Sequence, residues 1–155
     1  MNCSLQPGSR AASLRLKLYA RSGAQAYGLG ESEFGDVLQQ VAAKYLPANV
    51  SPEEAETFCQ SLHLEELVLC SACAAGHERA WEVFLTRYRA RLYEMAMSIA
   101  GREALARELA DSVYADLYGL KMRGEQRLSK LSYYTGRGSL EGWLRAVLAQ
   151  SFVDR

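Results

Sequence analysis

Tyr133-Tyr134-Thr135-Gly136-Arg137-Gly138-Ser139-Leu140-Glu141-Gly142-Trp143-Leu144 is where residue types and spacing come nearest to a recognition chemistry. An aromatic, basic, glycine-broken loop runs straight into an amphipathic helix. Gly136 and Gly138 allow backbone angles and close approaches that a side chain would block. Arg137 between them offers a planar cation, and the two tyrosines offer faces for stacking. The stretch reads as a surface for unstacked bases.

A second chemistry is suggested by Cys59, His63, Cys70, Cys73 and His77, whose Cys-x3-His and Cys-x2-Cys spacings supply ligand types that zinc accepts. The plainer reading is stronger, because Cys70 and Cys73 fall in a helix where a small buried residue suffices. No metal site and no cofactor are assigned. Catalysis has still less support. The chain has two histidines, no paired carboxylates beside a nucleophile, and no phosphate-binding glycine loop opening a helix, so no catalytic residue is expected.

At 155 residues, with 49% in the hydrophobic set and 23% charged, the chain suits one main globular domain with a smaller annex. Lys plus Arg equals Asp plus Glu at 18 each, so bulk charge predicts no avid independent binding to nucleic acid or acidic membrane. The distribution is uneven. Residues 1–75 carry 5 basic and 8 acidic side chains, and residues 76–155 carry 13 and 10, which places any nucleic-acid face in the second half. Without a run of 18 apolar residues or a secretory leader, no membrane association is expected and the cytoplasm is the default compartment. Cys3, Cys59, Cys70 and Cys73 are then expected to be thiols.

Residues 1–31, rich in Gly, Ser and Ala, read as a flexible tail containing one alternating piece, Leu14-Arg15-Leu16-Lys17-Leu18. A helix is predicted over Ser32–Leu46, ended by Pro47, and another from a Ser51-Pro52-Glu53-Glu54 capping box to about Ser61. Together they form an N-terminal helical extension, residues 32–63, of unassigned role. Leu64–Ala75 should be a short helix closed by Gly76, Glu78–Ala100 a long one broken by Gly101, and Arg102–Leu120 a third. On that third helix Leu105, Leu109, Val113, Leu117 and Leu120 fill one arc, with Glu108, Asp111, Ser112 and Ala115 opposite. Lys121–Lys130 is polar and basic and reads as a loop. The last helix opens on Ser139 as N-cap, with Leu140, Trp143, Leu144, Val147 and Leu148 on one face. Its pattern is still running at Arg155, which suggests a piece of a longer protein. Trp143 shares the register of the apolar face and is expected in the core rather than on DNA.

Four blocks in order carry a resemblance. They are Glu65-Glu66-Leu67-Val68 with Ala74-Ala75-Gly76-His77-Glu78-Arg79-Ala80-Trp81; Tyr88-Arg89-Ala90-Arg91-Leu92-Tyr93; Ala106-Arg107-Glu108-Leu109-Ala110-Asp111-Ser112-Val113-Tyr114; and Gly138-Ser139-Leu140-Glu141-Gly142-Trp143-Leu144 with Val153-Asp154-Arg155. Over residues 64–155 the chain resembles region 2 of the sigma-70 family of bacterial RNA polymerase sigma factors, especially the extracytoplasmic-function type. The resemblance implies an all-α, compact helical bundle of the sigma region 2 type, here with an N-terminal helical extension. It also implies docking on the clamp helices of the polymerase largest subunit, with Glu108, Asp111, Ser112 and Ala115 meeting that partner. The segment before the last helix would take flipped bases of the promoter −10 non-template strand. Tyr133, Tyr134, Arg137 and Ser139 would line it, with Arg127, Lys130 and Arg145 on phosphates or base edges. The chain departs from the family at Asp111-Ser112, His77 and Gln150, and residues 1–155 do not include the family's −35-reading domain. A module of this fold that has lost promoter function, binding the clamp or an anti-sigma partner as a decoy, is the alternative.

Overall fold

The computed structural model describes residues 10–119, 122–123, 126–127 and 129–155, and the side chains of all but residues 10, 11, 122, 123, 126 and 127. Cys3, Leu120 and Lys121 lie outside the described residues, as does the side chain of Arg127. Among the described residues seven α-helices run in chain order: α1 (Arg10–Ser22), α2 (Glu31–Tyr45), α3 (Pro52–Ser61), α4 (Leu64–Ala74), α5 (Glu78–Ala100), α6 (Glu103–Tyr118) and α7 (Leu140–Val153). Short 3-10 turns occupy Ala24–Tyr27 and Lys130–Tyr133. The only strands among the described residues are β1 (Met122–Arg123) and β2 (Gln126–Arg127), an antiparallel pair of two residues each. The protein is therefore all-α, with a minimal ribbon where a plain loop was expected. None of these helices is long and apolar enough to cross a membrane.

The chain divides into two compact units: residues 1–69 with Thr135–Arg137, and residues 70–134 with 138–155. The division falls within α4. In the first unit α1, α2 and α3 pack on one another. Residues 10–22 form a helix and not an unstructured tail. Leu14, Leu18 and Ser22 recur every four residues, and of this stripe Leu18 and Ser22 are buried while Leu16 stays 49% exposed. Five residues of apparent alternation are too few to separate a strand from a helix. Tyr19 fixes the packing: its ring meets Phe34 edge-on at 5.6 Å, and its hydroxyl donates to the Leu29 carbonyl at 2.6 Å.

Helix α3 begins as its residues dictate, with Pro52 at the first position and the Ser51 hydroxyl accepting from the Glu54 N–H at 3.1 Å. The reciprocal half of the expected capping box is not made. The Glu54 carboxylate instead accepts from the Ser51 hydroxyl at 3.1 Å. A backward reach of that kind occurs one helix earlier, where Glu33 accepts from the Gly30 N–H at 3.2 Å.

In the second unit α5, α6 and α7 pack pairwise. The α5 stripe buries Phe84, Leu92 and Met95; α6 buries Leu109, Val113 and Leu117; α7 buries Leu140, Leu144 and Leu148. Gly76, Gly101 and Gly119 end their helices with positive φ, the left-handed turn that glycine adopts without a Cβ penalty. Ser129, 5% exposed, donates to the Leu117 carbonyl at 2.6 Å and ties the C-terminal turn of α6 to the segment leading into α7. Leu92 is fully buried at the centre of α5. Leu92→Ala should destabilise the protein by about 2–5 kcal/mol, read as a lowered midpoint in urea unfolding with the slope unchanged.

Candidate nucleic-acid and partner interfaces

Residues 133–139 do not form one continuous face. Tyr133 is 65% exposed, and Arg137 and Ser139 are also exposed, whereas Tyr134 is 4% exposed. The Tyr134 hydroxyl donates to the Gly138 carbonyl at 2.5 Å, and its ring packs against Trp143 with centroids 5.7 Å apart. The stacking role expected of Tyr134 is thereby corrected: the ring closes the loop onto α7 and offers no face to a base. A buried tyrosine with a satisfied hydroxyl is a packing residue. Trp143 is half-buried on the same helix face as Leu140 and Leu144, as its register predicts. Ser139 caps α7, its hydroxyl accepting from the Gly142 N–H at 3.0 Å, so that oxygen is already engaged. Arg145 is exposed and Lys130 half-buried. Arg127 lies on β2.

Thr135, Gly136 and Arg137 belong to the first unit. The His63 N–H donates to the Gly136 carbonyl at 2.8 Å, and Gly136 has φ +78°. A Cβ at that position would lie 3.3 Å from the Leu67 Cβ, so both conformation and space call for glycine. Beside it the Arg137 guanidinium sits over the Tyr45 ring, 4.6 Å from the centroid, and 5.5 Å from that of Phe58. Those two rings are 6.1 Å apart, and the Tyr45 hydroxyl is 3.3 Å from the Thr135 hydroxyl. Tyr45 is 46% exposed. No sequence pattern linked Tyr45 and Phe58 to the loop, since 92 residues separate Tyr45 from Arg137 and each ring reads as an ordinary member of its own helix.

On the second unit α6 presents the other expected surface. Glu108, Asp111 and Ser112 are exposed and Ala115 is half-buried. Glu108 accepts from Arg155 at 3.5 Å, a long and exposed pair of small energetic consequence. Next to this face α5 and α6 enclose a groove of about 810 Å³ lined by Arg89, Tyr93, Arg107, Asp111 and Tyr114. The Tyr114 hydroxyl is buried there without a hydrogen-bond partner. Its pKa is pushed up to about 12, first by burial, with Asp111 raising it further and Arg89 opposing.

Arg91 lies on α5 and is half-buried. It joins α5 to α7 through a forked pair to Glu141, Nε to Oε1 at 2.8 Å and Nη2 to Oε2 at 3.2 Å, and reaches Glu94 at 3.2 Å. The hydrogen bonds from Arg91 hold the Glu141 carboxyl below its ordinary pKa. A fourteen-residue helix pattern around Glu141 gives no sign of a partner on another helix.

The zinc set does not assemble. Cys59 is buried and disulfide-bonded, which corrects the expectation of a thiol there, while Cys70 and Cys73 are buried and remain thiols. His63 is turned toward Glu66 at 3.5 Å. No group of three metal-ligating side chains converges among the described residues.

Two outcomes follow for stability. Because Glu141 ionises more readily in the folded protein, its contribution is full above the ordinary carboxylate range and is lost as pH falls through that depressed value; Glu141→Gln should flatten the acid limb of a stability–pH curve. Tyr114 shifts the other way. The unfolded chain deprotonates near pH 10 and the folded one near 12, so stability should fall as pH rises between them. Tyr114→Phe should remove that alkaline loss and leave neutral-pH stability equal or higher by about 1 kcal/mol in denaturant titration. Comparison with protein-family models, curated proteins and solved structures finds no match to this chain.

Proposed function

We propose that this protein is a sigma region 2-like transcription initiation module. It docks on the clamp helices of the RNA polymerase largest subunit and captures bases of the promoter −10 non-template strand during melting. The observation that carries the reading is the exposure of Tyr133 and Arg137 in the segment that enters the α7 cap. An aromatic face and a planar cation are what unstacked bases and phosphates take. Extrusion of a base costs roughly a few kcal/mol, and stacking worth about 1–3 kcal/mol per base can offset it without any chemical step. Arg145 and Lys130 are the further cations proposed for the strand, and Arg127 joins them on the sequence resemblance alone.

The clamp contact is proposed for Glu108, Asp111, Ser112 and Ala115. Two carboxylates and two small side chains along α6 let a basic partner helix approach closely and orient it by charge. Balanced net charge fits a module that depends on a larger partner for affinity and binds DNA weakly alone. The burial of Tyr134 favours a second reading, because one of the two expected stacking faces is spent on packing. In that reading the module keeps the clamp or an anti-sigma partner and lacks promoter activity.

Binding of the protein to a clamp-helix fragment, then to single-stranded −10 DNA with and without core polymerase, separates these readings. Asp111→Arg should weaken the clamp interaction about tenfold and leave thermal stability unchanged. Arg137→Ala should weaken strand capture by roughly tenfold or more while the clamp affinity holds. Wild-type clamp binding with no strand capture by the assembled complex would select the promoter-inactive module. If neither substitution moves either affinity, both surfaces are wrongly assigned.

A further inference from the structure

Arg137 is not a freely waving cation. Its guanidinium rests 4.6 Å from the Tyr45 centroid and 5.5 Å from that of Phe58, and its own backbone neighbour Gly136 is pinned by the His63 N–H at 2.8 Å. The Tyr45 hydroxyl lies 3.3 Å from that of Thr135, the residue on the other side of Gly136. Three consecutive loop residues are therefore held by α2, α3 and the start of α4, all within the first unit. Fixing an arginine on an aromatic ring removes rotamer freedom before a ligand arrives, so less is lost on binding. Arg137 remains exposed and Tyr45 remains 46% exposed, so the stacked pair is accessible to solvent.

Resting on the reading that the loop captures a separated strand, we infer that Tyr45 and Phe58 of the N-terminal extension form with Arg137 a stacking platform that takes one unpaired base of single-stranded DNA. The platform lies wholly within the first unit, with the Arg137 guanidinium as the face a base reaches and Tyr45 and Phe58 as its backing. A planar guanidinium backed by an aromatic ring presents a flat, cationic face, and every base has a complementary π face. Phosphate is the poorer occupant. Phe58 also borders a shallow groove with Glu53 and Glu54, whose carboxylates disfavour a backbone phosphate on that side. The platform should accordingly read the base itself more than the charge of the strand.

Fluorescence anisotropy at low salt with the full chain tests this, using a labelled oligo-dT strand and the same strand with abasic sites. Wild-type protein should prefer the base-bearing strand. Tyr45→Leu, which keeps apolar bulk and removes the ring, should lower that preference roughly tenfold, and Tyr45→Phe should restore it. Phe58→Leu should lower it less. A preference unchanged or increased in Tyr45→Leu overturns the platform, as does an equal loss of affinity for both strands, which marks a merely structural role. Arg137→Ala in the same titration separates the two levels of inference. If it weakens both strands while Tyr45→Leu does nothing, the platform fails and the strand-capture reading stands. If Arg137→Ala also does nothing, strand capture by this loop fails and the platform with it.

Discussion

Gly136 holds a positive φ with its backbone tight against Leu67, and much of the candidate site depends on that. Positive φ turns the chain, the absence of Cβ lets the backbone lie against Leu67, and the carbonyl so presented accepts the His63 N–H. With the backbone fixed, Arg137 follows at a position from which its guanidinium meets two rings. The same segment leads two residues later into the Ser139 cap of α7. One hydrogen bond and one missing methyl thus define where an otherwise polar, glycine-rich stretch can go.

Helix positions were legible because each is set by local chemistry. Apolar recurrence at three- and four-residue steps, Pro47 and Pro52, and glycines just past the last turn delimit α2, α3, α5 and α6 to within a residue or two. Local reasoning failed where a contact is long in sequence. The Leu14–Leu18 alternation carried no sign that Phe34 would pack on Tyr19, and no local pattern pairs Arg91 with Glu141, 50 residues further along the chain. Glu54 met both requirements for a reciprocal cap and bonded the hydroxyl it was meant to complement.

The loop before α7 shows the same boundary. Its composition points to a recognition chemistry, yet composition does not divide labour between adjacent tyrosines. Tyr133 and Tyr134 are chemically identical, and only the position of Trp143 relative to the turn decides which ring is packed and which is presented. On α6 the division was easier. Glu108, Asp111 and Ser112 fall opposite a leucine stripe, and exposure there follows from the 100° step of the helix alone.

The packing of Tyr134 on Trp143 gives the molecule an optical handle. The chain has two tryptophans: Trp81 lies among Phe84 and Tyr118, and Trp143 stands within 5.7 Å of a tyrosine whose hydroxyl closes the turn. Excitation energy passes readily from tyrosine to tryptophan at that separation, so the emission of Trp143 carries a signature of whether the turn is shut. With Trp81 replaced by phenylalanine, the remaining indole becomes an intrinsic, label-free reporter of the turn, usable in stopped-flow mixing without attaching a dye.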